Sequence, residues 1–480
     1  MHRFRVFSVP QRVFGRSLAT YKTSTGTHSL TYSLTHSLTH SLTHLLTHLF
    51  THSLIHSLTY SLTYSFIHSL THSLTHSLTH SLTHSPTQEM ASVQQLCSPV
   101  EGIACHSWNG DKSQVALCPN NNEIHIYNTR DWSKAYTLTN HDLLVSSIDW
   151  CPINNKIVSC SHDRNAYVWS FEPQCLQDNP VPGQPKIVVP AQWKPSPVIL
   201  RIDRAAFDVK WSSDGKRFAV ASGSKCVPLC TYEPQNDWWI SKIIKKKFKS
   251  TVTCVAFHPT NGQLLATGST DFKCRVYSTF ASDVDETVNP GVFGQPLEFG
   301  EAYAELPCLG WVNAVAWSPS GNVLTYCGQD STIHFATFST GTPVVRSIKL
   351  KDMPLNRLLF VGERAIVGAG HDFNPFLFTQ SGGEWNYSRR LDQQKEETQA
   401  SAATGGVAAA RALFQNKTTR GQDQKANNDT LWTKHENAIT AINVCSSGKN
   451  ITKISTSALD GRLVIWDLPS LEIDMGLLSI

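Results

Sequence analysis

Histidine and aspartate are the residues in this chain whose spacing could support chemistry. His162–Asp163 in the string SHDRN and His371–Asp372 in AGHDF set an imidazole beside a carboxylate, the pairing that general acid–base work uses. Twelve of the 21 histidines recur, mostly four residues apart, in a T-H-S-L tract over 27–84. On a helix that spacing would put imidazoles on one face, within reach of a metal ion. Ser, Thr and His are indifferent helix formers, however, and the tract has little variety from which to build a core. The chain has no P-loop, G-x-S-x-G, H-E-x-x-H or Cys/His pattern at zinc spacing. The expectation is therefore a protein that is not an enzyme, with no cofactor and no metal.

The His–Asp strings instead belong to a repeat. Asp163 leads to Trp169 through RNAYV, Asp271 to Tyr277 through FKCRV, Asp372 to Phe378 through FNPFL, and Asp460 to Trp466 through GRLVI. Asp330 is followed by the same kind of apolar strand, but Phe335 comes one place early. Each such aspartate fits a tight turn between the second and third strands of a four-stranded blade, where it can accept backbone N–H groups. His141 and His435 precede two of these turns and can add a charge-assisted hydrogen bond of about 1.5–3 kcal/mol. The structural reading of these His and Asp residues outweighs a catalytic one. Strand-like segments with turn signals run from about residue 100 to the C-terminus and divide into seven blades, the first and third lacking the turn Asp. The fold class predicted is all-β, a seven-bladed propeller over 90–480. Ser92–Leu96 is expected to close the ring as the outer strand of blade seven.

Composition bounds the rest. Residues 1–90 hold five basic residues and one acid, and subtracting these from 41 and 37 leaves 36 of each in the body. A balanced body argues against non-specific nucleic-acid binding. All 13 cysteines lie in the body, odd in number and without C-x-x-C, which fits buried reduced thiols and a cytosolic setting. No apolar run approaches the roughly 18 residues of a membrane span. The abrupt change of composition near Met90 sets residues 1–89 apart as a disordered tail or a read-through of repetitive DNA, and the functional protein is expected to begin at Met90.

The segment 380–434 is polar and Ala-, Gly-, Thr- and Gln-rich, which reads as an insertion between blades six and seven. Within it, 405–417 contains good helix formers, and Val407, Ala410, Arg411 and Phe414 fall on one face with Leu413 beside them. A disordered loop with a chance Ala run is the alternative. Lys242, Lys245, Lys246, Lys247 and Lys249 form a basic cluster after Trp238 and Trp239, with Lys245, Lys246 and Lys247 as the partner-binding candidates. It is either a solvated edge that resists aggregation or a contact for acidic surfaces. Strand alternation would split such lysines between faces.

The repeats resemble the WD40 family. The strings DRNAYVW, NDWW, STDFKCRVYS and AGHDFNPFLF, and CHSWN leading to PNNNEIHIY, more closely resemble the subunit 1 family of the actin-related protein 2/3 complex. The resemblance spans about 90–480. It implies a non-enzymatic subunit of a seven-subunit complex that nucleates branched actin filaments. It also implies contacts with other subunits, the actin filament and nucleation-promoting factors, and a short helix in the insertion that docks in an actin-like groove. The 405–417 segment is poorer in large apolar residues than that family's pattern. A generic WD40 scaffold of another complex is the second reading.

Overall fold

The chain divides into two units, Met1–Thr87 and Gln88–Ile480. The computed structural model describes residues 91–177, 186–282, 285, 290–339, 342–393, 433–448, 450–471, 473 and 476, all in the second unit. The T-H-S-L tract and the 405–417 segment lie outside the described residues.

Alternating apolar strands separated by Gly, Asn and Asp turns have one economical way to bury both faces, which is to stack as radial sheets. Seven four-stranded antiparallel sheets do this here. Their innermost strands are Cys105–Trp108, Val145–Trp150, Ala206–Trp211, Val252–Phe257, Val312–Trp317, Leu355–Gly362 and Ile439–Val444. Each inner strand contacts the next around a closed ring, and the seventh contacts the first. The propeller read from the repeat spacing is the fold observed.

The ring closes as expected. Ala91–Gln95 is the outer strand of blade seven, pairing antiparallel with Arg462–Asp467 from Ala91↔Trp466 to Gln95↔Arg462. The two ends of the blade are thereby joined across the sequence, and no edge is left on the inner three strands.

The core lies between the sheets. Trp169, Trp466, Tyr277, Phe335 and Phe378 are fully buried. The early placement of Phe335 has a structural consequence. A one-residue shift along a strand sends a side chain to the other face. Phe335 accordingly stacks on Trp385 of blade six, with ring centroids 4.4 Å apart and planes 7° from parallel.

A set of side-chain hydrogen bonds locks neighbouring blades. The hydroxyl of Ser146 donates to the carbonyl of Ala206, that of Thr253 to Val312, and that of Thr440 to Ile103; the amide of Asn313 donates to Leu355. Each runs from the start of one inner strand to the start of the next, so the inner strands run in the same direction. All therefore begin at one end of the disc, here called the entry face. The turns between second and third strands open on that same face.

The range 380–434 needs adjusting. Glu384–Arg390 is the outer strand of blade six, paired with Phe376–Ser381. The polar composition of this strand, EWNYSRR, resembles a loop because an outer strand buries one face only, as Trp385 does here between exposed neighbours. Two further connections are long, 173–191 in blade two and 279–301 in blade four.

Candidate interaction face

Blade two shows what the turn aspartate does. His141 Nδ1 donates to Asp163 Oδ2 (2.8 Å), the Ser159 hydroxyl meets His141 Nε2 (2.8 Å), and Trp169 Nε1 donates to Ser159 Oγ (2.9 Å). Donors and acceptors match along this chain when His141 is neutral with its proton on Nδ1. Backbone N–H groups of Asp142 and Asn165 complete the carboxylate. Burial alone would raise the Asp163 carboxyl, but the hydrogen bonds from His141, Asn165 and Asp142 outweigh it and hold it below its ordinary value.

Blade seven repeats the arrangement with Thr456 as the hydroxyl. His435 bonds Asp460 (3.0 Å) and Thr456 (2.7 Å), and Trp466 donates to Thr456 (2.9 Å). Asp460 is likewise held low against the upward push of burial. Ser159 and Thr456 were missed in the sequence, although each stands four residues before its aspartate and ten before its tryptophan.

The other blades diverge. In blade four, Arg275 spans both oxygens of Asp271 (3.0 and 2.9 Å) and also reaches Glu305 (2.8 Å). Tyr277 donates to the Lys246 carbonyl instead of a hydroxyl–His pair (2.7 Å). In blade six, Asp372 accepts the Met353 N–H, and burial raises its carboxyl. Phe378 fills the tryptophan position without a polar handle. In blade five, Asp330 meets Cys308.

These networks are buried and complete in blades two and seven: the Ser159 and Thr456 hydroxyls beside the histidines are fully buried and already accept from Trp169 and Trp466, so the networks set loop geometry. What the loops carry is more informative. Val100, Leu143, Ile199, Phe272, Leu309, Trp311 and Met353 are exposed, Val100 at 95% and Leu309 at 85%, and all lie in entry-face connections. The loops and turns of the opposite face expose Ile153, Val188 and Val292 among the described residues. The larger number on the entry face makes it the candidate interaction surface.

Lys245, Lys246 and Lys247 lie on the same face. They do not alternate along a strand, because the outer strand Trp238–Ile244 ends before them and they form the turn that follows. All three are exposed. Lys246 pairs with Glu301, which raises its ammonium above the ordinary value. Lys247 has φ of 69°.

The insertion also roots here. Its flanks are stapled to blade six, with Lys434 N–H donating to Asp392 Oδ2 (2.6 Å) and Asn374 exchanging hydrogen bonds with the Asp392 backbone (2.9 and 3.0 Å). Asn374, fully buried, is the Asn of the string AGHDFNPFLF. Val407, Ala410, Arg411, Leu413 and Phe414 belong to the segment outside the described residues.

Comparison with known proteins agrees with this architecture. The WD40 family (WD domain, G-beta repeat) matches residues 132–170, 242–278, 304–335 and 428–467. Actin-related protein 2/3 complex subunit 1B of Arabidopsis thaliana is 41% identical over 388 residues, 78% of this chain and 97% of that relative. Subunit 1A-B of Xenopus laevis is 40% identical over 78% of this chain and 96% of its own length. Subunit 1 of Schizosaccharomyces pombe is 35% identical over 76% of this chain and 96% of its own length. With this identity held over nearly the whole length of relatives from a plant, a frog and a yeast, the chain belongs to the actin-related protein 2/3 complex subunit 1 family.

Proposed function

We propose that this chain is a non-catalytic subunit of the actin-related protein 2/3 complex, supporting actin filament nucleation and branch formation in the cytoplasm. The observation that carries the reading is the match to relatives bearing that subunit's name over nearly all of their length. The entry face supports a role in binding. It offers an apolar surface for the other subunits and a lysine turn suited to acidic partners, among them nucleation-promoting factors. The insertion rooted at Asp392 and Lys434 is assigned to the actin filament or an actin-like subunit, with Val407, Ala410, Arg411, Leu413 and Phe414 as contacts. Among the described residues no helix is long and apolar enough to cross a membrane.

Co-expression of the full chain with the remaining subunits tests the reading. It should co-purify with them in equal amount. Assembly of those subunits without it, or recovery of the chain with a chromatin or ubiquitin-ligase set, would instead support a WD40 scaffold elsewhere.

A further inference from the structure

The turn aspartate of blade five lacks the counter-groups that its counterparts have. In blade two, a histidine 22 residues upstream and two backbone N–H groups fill both carboxylate oxygens. In blade four, an arginine four residues downstream fills both. In blade five, Cys308 stands 22 residues upstream of Asp330, and His334 stands four downstream. Cys308 Sγ lies 3.9 Å from Asp330 Oδ1 and 3.8 Å from His334 Nε2. Asp330 Oδ2 is buried with no hydrogen-bond partner. A carboxylate oxygen removed from water without a partner is costly, and a cation resolves that cost.

We propose that Cys308, Asp330 and His334 bind a zinc-class divalent cation, with water or an outside donor in the fourth position. One ligand atom from each residue lies within 4.8 Å of the others. Ligands at zinc bond lengths of 2.0–2.3 Å and tetrahedral angles stand about 3.3–3.6 Å apart, so the two sulfur distances need to close by a few tenths of an ångström and the carboxylate–imidazole separation, within 4.8 Å, by up to about 1.5 Å. A thiolate, an imidazole and a carboxylate together suit zinc or cobalt, whereas magnesium and calcium prefer oxygen ligands alone.

Outer groups already hold the ligands in place. His334 Nδ1 bonds Ser347 Oγ at 2.6 Å, and the ring stacks on Tyr326 with centroids 4.6 Å apart, which leaves Nε2 turned to Cys308. Gly328 keeps the space clear, since a Cβ there would stand 2.3 Å from Asp330 Oδ1 and 2.5 Å from Cys308 Sγ. Burial raises the Cys308 thiol while the N–H groups of Gly310 and Leu309 work against it. Binding displaces that thiol proton to solvent, so affinity rises with pH. The bound ion would tie the loop carrying exposed Leu309 and Trp311 to its blade.

Cobalt(II) titration of the full chain, read by thiolate-to-cobalt charge-transfer absorption, tests the site. The T-H-S-L tract holds no cysteine and cannot give this signal. One equivalent should produce the band, and zinc should abolish it. Cys308→Ser should remove it, His334→Gln and Asp330→Asn should weaken binding about 100-fold, and Ser347→Ala about 10-fold. Cys254→Ser should leave it intact. Absence of the band in the unaltered chain, or a band that survives Cys308→Ser, overturns the proposal. Should Cys308→Ser fail to fold, unchanged binding in folded Asp330→Asn overturns it equally.

Discussion

The two faces of the disc are built from the same blades yet differ in what they expose. On the entry face, turns are held by buried aspartates, and large apolar side chains project between them. On the opposite face, turns such as Ser212–Lys216 close on an exposed carboxylate, Asp214 accepting from the Ser212 hydroxyl and the Lys216 N–H. Rigid turns and exposed apolar residues coincide for a physical reason. A loop that must present Leu143 to a partner loses less entropy on binding if its base is already fixed, as it is here by His141 and the Asp142 N–H on Asp163. Among the described residues, the loops and turns of the opposite face display fewer such side chains, Ile153, Val188 and Val292, and rest on ordinary turn chemistry.

The largest expected effect is at the pinned turns. Asp163→Ala leaves His141 and two N–H groups without their acceptor and should cost about 3 kcal/mol, read from urea unfolding. Asp214→Ala on the opposite face should cost about 0.5 kcal/mol. Equal losses would erase the contrast. Ser159→Ala should cost about 1–2 kcal/mol by breaking the link between Trp169 and His141, whereas Thr456→Ser in blade seven should be nearly neutral.

Acid should act through the same networks. His106 lies between Ser455 and Ser457 of blade seven, with both ring nitrogens bonded at 2.8 Å. Burial foremost, with the Lys210 charge, pushes it down to about 3. The unfolded chain takes up this proton near pH 6.5 and the folded chain does not. Stability is therefore fully present above about pH 6.5 and is lost progressively as pH falls toward 3. Asp163 and Asp460, held below 3.8 in the folded chain, add a second loss as pH falls below that value. His106→Gln should flatten the pH 6.5–4 limb of the unfolding midpoint and leave the steeper acid limb. A limb unchanged in that variant would place the titrating group elsewhere. The smallest effect is at Lys246→Gln, within about 0.5 kcal/mol, because its pairing with Glu301 is exposed to solvent.

Period and turn chemistry made the blades legible in the sequence. Asp-to-aromatic spacing placed five turns, and Ala91–Gln95 fell where ring closure required a strand. The hydroxyls of Ser159 and Thr456 were overlooked because Ser and Thr are common in strands, and only their fixed offset from Asp and Trp marks them. The display on the entry face was also hidden. Leu309 and Met353 look like core residues in isolation, and only the direction of the strands shows that their loops share an end. The Lys245–Lys247 turn depended on where Trp238–Ile244 stops, and boundaries are the least certain part of any pattern reading. Cys308 and His334 lie 26 residues apart and meet only across a blade.

Incorporation into the assembled complex tests the central claim most directly, that the entry face is the one that binds. The full chain carrying Leu309→Ser and Trp311→Ser should fold normally yet co-purify with the other subunits at least about tenfold less well, a loss of about 1.4 kcal/mol. Ile153→Ser on the opposite face should co-purify like the unaltered chain. Undiminished incorporation of the Leu309/Trp311 variant, alongside loss for Ile153→Ser, would contradict the account.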